Sequence, residues 1–133
     1  MIPVSDLLVV AGGGAVGSVI RYLLALGSLK LPGGTTLAGT LVANLIGCFA
    51  IGLLSALILA NPDAVSPRVA LGLRVGLLGG LTTFSTFAAE SVWLAHHGQI
   101  TGMTLYIAGT VLLGLLAVAA GTWLVGPPQE PSP

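Results

Sequence analysis

From Leu77 to Phe87 the chain reads LLGGLTTFSTF, which gathers two glycines, four hydroxyl side chains and two phenylalanines between apolar neighbours. Gly79-Gly80 is a weak point for a helix, because glycine is a poor helix former. The hydroxyls of Thr82, Thr83, Ser85 and Thr86 can take up the backbone groups that a break would expose. Unwound backbone there would present carbonyl oxygens, which suit a hard cation such as Na⁺. Phe84 and Phe87 are three residues apart, so on a helix they point to roughly one face. The edge of an aromatic ring carries the positive part of its quadrupole, so edge-on rings can contact an anion without any formal charge. Two phenylalanines at this spacing are, in general, more often packing residues.

Other polar side chains fall at helical spacing. Thr40, Asn44 and Cys48 follow at i, i+4 and i+8 and so share a face, as do Tyr106 and Thr110, a line that continues to Gly114. Asn44 brings two donors and an acceptor. Either lining a polar path or making an interhelical hydrogen bond would account for it, and the sequence leaves both open. Arg21, Arg74 and Glu90 are expected to snorkel to an interface or to pair with one another. His96 and His97 are adjacent, which is not metal-ligand spacing on a helix face. With no nucleophile–base pair, no His/Cys ligand set and no phosphate loop, an enzyme is not expected. Gly12-x-Gly14-x-x-Gly17 matches the dinucleotide-binding fingerprint letter by letter, but no alternating strand–helix pattern surrounds it and no acidic residue follows at the required distance.

The elements that must position these residues follow from composition. Of 133 residues, 55% are hydrophobic and 6% charged, with a mean hydropathy of +1.05. A soluble domain carries roughly 25% charged residues, so this chain has too little charge to cover a water-facing surface and reads as an integral membrane protein. Net charge is zero, which gives no electrostatic footprint for nucleic acid. The single Cys48 excludes an intrachain disulfide. Four segments reach the length of about 20 apolar residues that a bilayer requires: about Asp6 to Leu29, Thr36 to Ala60, Val69 to Ala95 and Thr101 to Val125. With Asp6 before the first run, Arg21 inside it and no basic leader, that run reads as a retained helix. One transmembrane domain, 1–126, is expected, followed by a disordered Pro-rich tail at 127–133. Gly13 and Gly17, then Gly39, Ala43 and Gly47, then Gly72, Gly76 and Gly80 place small residues every fourth position, as close helix packing in lipid requires. Arg68 and Arg74 lie toward the side of the termini, Arg21 and Lys30 toward the other. That even balance permits insertion in either orientation and hence an antiparallel dimer.

Gly13-Gly14-Ala15-Val16-Gly17 with Arg21-Tyr22, then Gly39-Thr40-Leu41, Asn44 and Gly47, then Gly79 to Phe87, together resemble the fluoride channel family called Fluc or CrcB. The match runs through all four helices in order, and TTFSTF is its specific part. The resemblance implies an all-α, dual-topology antiparallel homodimer with two pores, embedded in the cell membrane and passing fluoride passively out of the cytoplasm. It implies a third helix broken near its middle, with Gly79 and Thr82 as backbone ligands of a structural Na⁺. Phe84 and Phe87 would face the pores, with Asn44, Ser85, Thr86, Tyr106 and Thr110 as further pore residues. Arg21 and Glu90 would act at the pore mouth.

Two positions depart from the family pattern. A further hydroxyl position of the polar track falls on Gly114, and Ser18 stands where a small apolar residue is usual. The physical logic agrees with the resemblance, since a small, strongly hydrated anion needs its water replaced by several close donors, while a strong fixed cation would trap it. A proton-coupled exporter of the small multidrug type is disfavoured by the absence of a mid-helix carboxylate. A packing scaffold would leave the clustered hydroxyls at a helix break unexplained.

Overall fold

Long apolar runs closed by Gly, Pro and Asn dictate the elements. The computed structural model describes residues 3–126, so the expected tail at 127–133 lies outside the described residues. Helix α1 (Val4–Leu29) is followed by α2 (Thr36–Ala60), which Thr35 starts by accepting the Ala38 amide at 3.4 Å. The third span begins with α3 (Pro67–Leu71), where Ser66 accepts the Val69 amide and Pro67 occupies the first turn. It continues through a π-helical stretch (Gly72–Leu78) into the short α4 (Gly79–Leu81). After an interruption at Thr82 and Thr83 it resumes as α5 (Phe84–His96), and α6 (Ile100–Trp123) completes the chain. Four helical spans are therefore long and apolar enough to cross a membrane: Val4–Leu29, Thr36–Ala60, Pro67–His96 and Ile100–Trp123. Among the described residues there is no strand.

The expected segments agree with these within a few residues, with two differences. The chain leaves the helix at Thr82–Thr83, three residues after the expected weak point at Gly79-Gly80. Glycine's low helix propensity is overridden here by packing, because Gly80 lies against α1, where a Cβ would come 2.5 Å from the Gly14 carbonyl. The π-helical winding before the break is the second difference. Hydrophobic periodicity read at 3.6 residues per turn carries no signal for one wider stretch.

Packing follows the small residues. The π-helical stretch lies along α1, and α2 packs most extensively against α6. Gly76 stands where a Cβ would meet the Val10 carbonyl at 2.8 Å and Gly13 Cα at 3.1 Å. Ala43, wholly buried, joins Leu78 and Leu81 in a small central core. In the turn after α1, Gly33 takes a φ of +70°, a conformation open to glycine at little cost. Buried Ser28 ties that turn, its Oγ 2.7 Å from the Ala25 carbonyl and 2.8 Å from that of Thr35. The outward faces carry exposed Leu and Val throughout, and Trp93 and Trp123 stand exposed near opposite ends of the spans, as interfacial anchors do.

Gly76→Val should destabilise the fold by about 1–3 kcal/mol, since both obstructing atoms are backbone and cannot step aside. Gly12→Ala, where nothing lies within 4 Å, should be neutral or stabilising by up to ~1 kcal/mol. Thermal unfolding of the two variants in detergent, followed by circular dichroism, checks the contrast.

Candidate functional site

An interrupted helix inside hydrocarbon must find new partners for its freed backbone groups. At Thr82–Thr83 the partners are specific. Asn44, reaching from α2, accepts the Thr83 amide on Oδ1 at 2.8 Å and donates from Nδ2 to the Thr83 carbonyl at 3.2 Å. Thr83 Oγ1 then accepts the Thr86 amide at 3.2 Å and caps α5. Thr86 Oγ1 and Ser85 Oγ lie 3.1 and 3.2 Å from the same hydroxyl. Thr82 closes the upstream end, its amide and its Oγ1 both donating to the Leu78 carbonyl at 3.0 and 2.9 Å. From α1, Arg21 Nε donates to the Gly80 carbonyl at 3.2 Å.

These substitutions have a consequence four residues upstream. In a continuous helix the Thr83 amide would serve the Gly79 carbonyl, and the Thr86 amide that of Thr82. Asn44 takes the first amide and Thr83 Oγ1 the second. Gly79 and Thr82 are thus the two carbonyls whose helical donors are redirected by side chains. Neutral oxygens of this kind suit a hard monovalent cation, so the donor set at Gly79 and Thr82 fits Na⁺.

A groove of about 490 Å³ opens beside the break, lined among others by Asn44, Gly79, Thr82, Phe84, Phe87 and Thr110. Phe84 is 79% exposed and Phe87 8%, so the two rings, 5.7 Å apart, stand in different surroundings. Phe87 also contacts Tyr106 at 5.4 Å between centroids. Behind this aromatic row Glu90 accepts two hydrogen bonds, from Thr40 Oγ1 at 3.1 Å and from Tyr106 Oη at 2.6 Å. Thr110 Oγ1 is buried without a hydrogen-bond partner. Gly114 faces Cys48, whose Sγ would lie 3.4 Å from a Cβ placed there.

The sequence candidates therefore divide. Asn44, Phe84, Phe87, Thr110, Gly79 and Thr82 border one groove, while Tyr106 and Glu90 pair with each other alongside it. Ser85 and Thr86 sit in the first turn of α5, where Thr83 engages them. Arg21 stands apart, on α1 at the Gly80 carbonyl, and it forms no pair with Glu90. Of the two roles open to Asn44, the interhelical hydrogen bond is the one observed, made to backbone and not to another side chain. Thr83, named in the sequence only as one hydroxyl among four, proves to be both the cap of α5 and the partner of Asn44. Its place before an apolar helix, three residues ahead of Thr86, is the N-cap signal that could have found it. His96 and His97 are exposed. His97 Nδ1 lies 2.8 Å from the Trp93 carbonyl, and no group of metal-ligating side chains forms among the described residues.

Four membrane-length helices, with polar side chains converging on a break at mid-span, define a multi-pass integral membrane protein built around a polar site at membrane depth. Residues 8–122 match the family described as CrcB-like protein, Camphor Resistance (CrcB), and the chain belongs to that family. A Rhizobium johnstonii protein is 43% identical over 114 residues, covering 86% of this chain and 90% of its own length. A Stutzerimonas stutzeri protein is 44% identical over 113 residues, covering 84% and 90%. A Phocaeicola vulgatus protein is 41% identical over 120 residues, covering 90% and 97%. All three are named fluoride-specific ion channel FluC.

Asn44→Ala removes both hydrogen bonds to Thr83 and leaves an amide and a carbonyl unserved. We expect a stability loss of about 2–3 kcal/mol, larger than the ~1 kcal/mol for removing the α5 cap with Thr83→Ala. Denaturant unfolding in mixed micelles measures both.

Proposed function

We propose that this chain is a fluoride channel that lets fluoride leave the cytoplasm down its electrochemical gradient, relieving fluoride toxicity. The observation that carries the reading is the agreement between the names of the relatives, at 41–44% identity over most of the chain, and the chemistry of the groove. Beside apolar side chains its lining includes an amide, hydroxyls, aromatic rings and one arginine, Arg74, but no carboxylate. Such groups replace the water of a small anion one hydrogen bond at a time without binding it so strongly that it stays. Phe84 and Phe87, with Asn44, Ser85, Thr86, Tyr106 and Thr110, are the residues we assign to the path. Glu90 and Arg21 act on the local potential.

The working unit in this reading is an antiparallel homodimer of two identical copies. The even Lys/Arg balance supports it, and so does the open side of the groove, since an ion path through a membrane must be enclosed. Na⁺ held by the carbonyls of Gly79 and Thr82 would add positive potential at the centre without a titratable side chain. Around it, this chain's own residues do the fixing: Asn44 and Thr83 hold the break open, and Arg21 occupies the Gly80 carbonyl.

Purified protein in liposomes, with valinomycin carrying compensating K⁺, should release fluoride rapidly and chloride slowly. Phe84→Ile or Phe87→Ile should lower the fluoride rate by roughly ten-fold or more, the size of an interaction of about 1.4 kcal/mol or above lost along the path, with assembly unchanged on size exclusion. Unchanged flux in well-assembled phenylalanine variants would reduce the two rings to packing residues. No fluoride release from well-folded wild-type protein would overturn the channel reading itself.

A further inference from the structure

The chain has four basic side chains, and three have an evident place. Arg68 pairs with Asp6 at 3.2 Å where α1 and α3 begin. Lys30 stands exposed in the turn after α1, outside the membrane-length helices, and Arg21 serves the Gly80 carbonyl. Arg74 stands seven residues into the third span, roughly 10 Å below its start, and it makes no ion pair among the described residues. A guanidinium cannot shed its charge by losing a proton. At membrane depth it must therefore meet water, a lipid headgroup or an anion.

Arg74 lies within the π-helical stretch Gly72–Leu78, five residues ahead of Gly79. Arg74 and Gly79 are both exposed and border the same groove as Asn44, Phe84, Phe87 and Thr110. That lining contains no acidic residue to neutralise the guanidinium. Glu90, the nearest acid along the third span beyond the break, already accepts from Thr40 and Tyr106. Across the groove, Thr110 Oγ1 is buried and unpartnered. The groove therefore includes one basic residue with no acid beside it.

We propose that Arg74 is the anion-attracting residue of the ion path, drawing fluoride into the groove toward the neutral donors around the break. The assignment rests on the fluoride-channel reading. Arg74 does not trap the ion, because its guanidinium is exposed and its charge is delocalised and only weakly hydrated. It raises the local anion concentration, and a fixed charge beside low-dielectric walls can increase entry rates ~10- to 1,000-fold, an effect that salt screens.

The test is the initial rate of fluoride efflux from liposomes holding wild-type protein, Arg74→Gln or Arg74→Lys, at low and at high ionic strength set with an impermeant salt. Arg74→Gln is expected to be about ten-fold slower at low ionic strength, with the gap closing at high salt, while Arg74→Lys keeps most of the rate. The wild-type rate should itself fall as salt rises, a readout independent of whether any variant folds. Equal rates for wild type and Arg74→Gln at every salt concentration would make Arg74 a lipid-facing residue and overturn the assignment while leaving the channel intact. A salt-independent wild-type rate would overturn it likewise, and so would a deficit in Arg74→Gln that matches a loss of assembly on size exclusion. Silent wild-type protein would instead remove the channel reading beneath it.

Discussion

The two hydrogen bonds between the Asn44 side chain and the Thr83 backbone are the constraint on which the rest of the site depends. A transmembrane helix survives in hydrocarbon because it satisfies its own backbone, and each unserved group there costs several kcal/mol. A break at mid-span is stable only where side chains replace the missing partners in matching geometry. A primary amide holds a donor and an acceptor side by side, so it can serve the N–H and the C=O of one residue together. By taking the Thr83 amide, Asn44 also releases the Gly79 carbonyl, so the residue that stabilises the break creates the polar surface beside it.

Asn44 can reach Thr83 only because the helices lie close. Gly47, one turn further along α2, is buried against the Thr82 side chain, and Gly13, Gly17, Gly76 and Gly80 bring α1 against the third span. In lipid, where apolar surface gains little from being buried, such contacts hold helices together through van der Waals packing and hydrogen bonds. The approach of α1 also places Arg21 at the Gly80 carbonyl, which joins those of Leu78 and Thr83 in receiving a side-chain donor near the break. Close packing and backbone satisfaction are therefore coupled. The small residues set the distance, and the polar side chains use it.

Much of this was legible in the sequence. Run length and the Gly, Pro and Asn punctuation placed all four spans within a few residues, because a bilayer fixes helix length and short turns have few solutions. The glycine ridges were legible for the same reason, since spacing of four on a helix leaves few other readings. The position of the break was not. Gly79-Gly80 has the lower intrinsic helix propensity, but tertiary packing against Gly14 keeps it helical, while Thr82–Thr83 is unwound by a partner 39 residues away in sequence. The π-helical stretch was illegible too, because it adds no distinctive residue type and alters only the phase. Arg74, expected at an interface or in a pair with another charge, lies in that stretch and borders the groove. Glu90 was expected at an interface or with a basic partner. Neutral hydroxyls from two other helices serve it instead, a long-range arrangement that no local pattern encodes.

The division between charged and neutral groups follows from the chemistry of the ion proposed to pass. Fluoride gives up its water only to donors that approach as closely as water does, and it leaves again only if no single donor dominates. Hydroxyl, amide and aromatic-edge groups meet both conditions. Formal charge is kept to the margins of the groove: Glu90 is occupied by Thr40 and Tyr106, Arg21 is held on α1, and Arg74 lies more than a turn ahead of the break. A carboxylate free in the groove would repel the ion, and Tyr106 and Thr40, by donating to Glu90, turn that charge into the anchor of a hydrogen-bonded network. The same two hydrogen bonds fix the Tyr106 ring against Phe87. The orientation of the aromatic row is thereby tied to the acid beside it, so a change at Glu90 would alter ring position as well as charge along the proposed path.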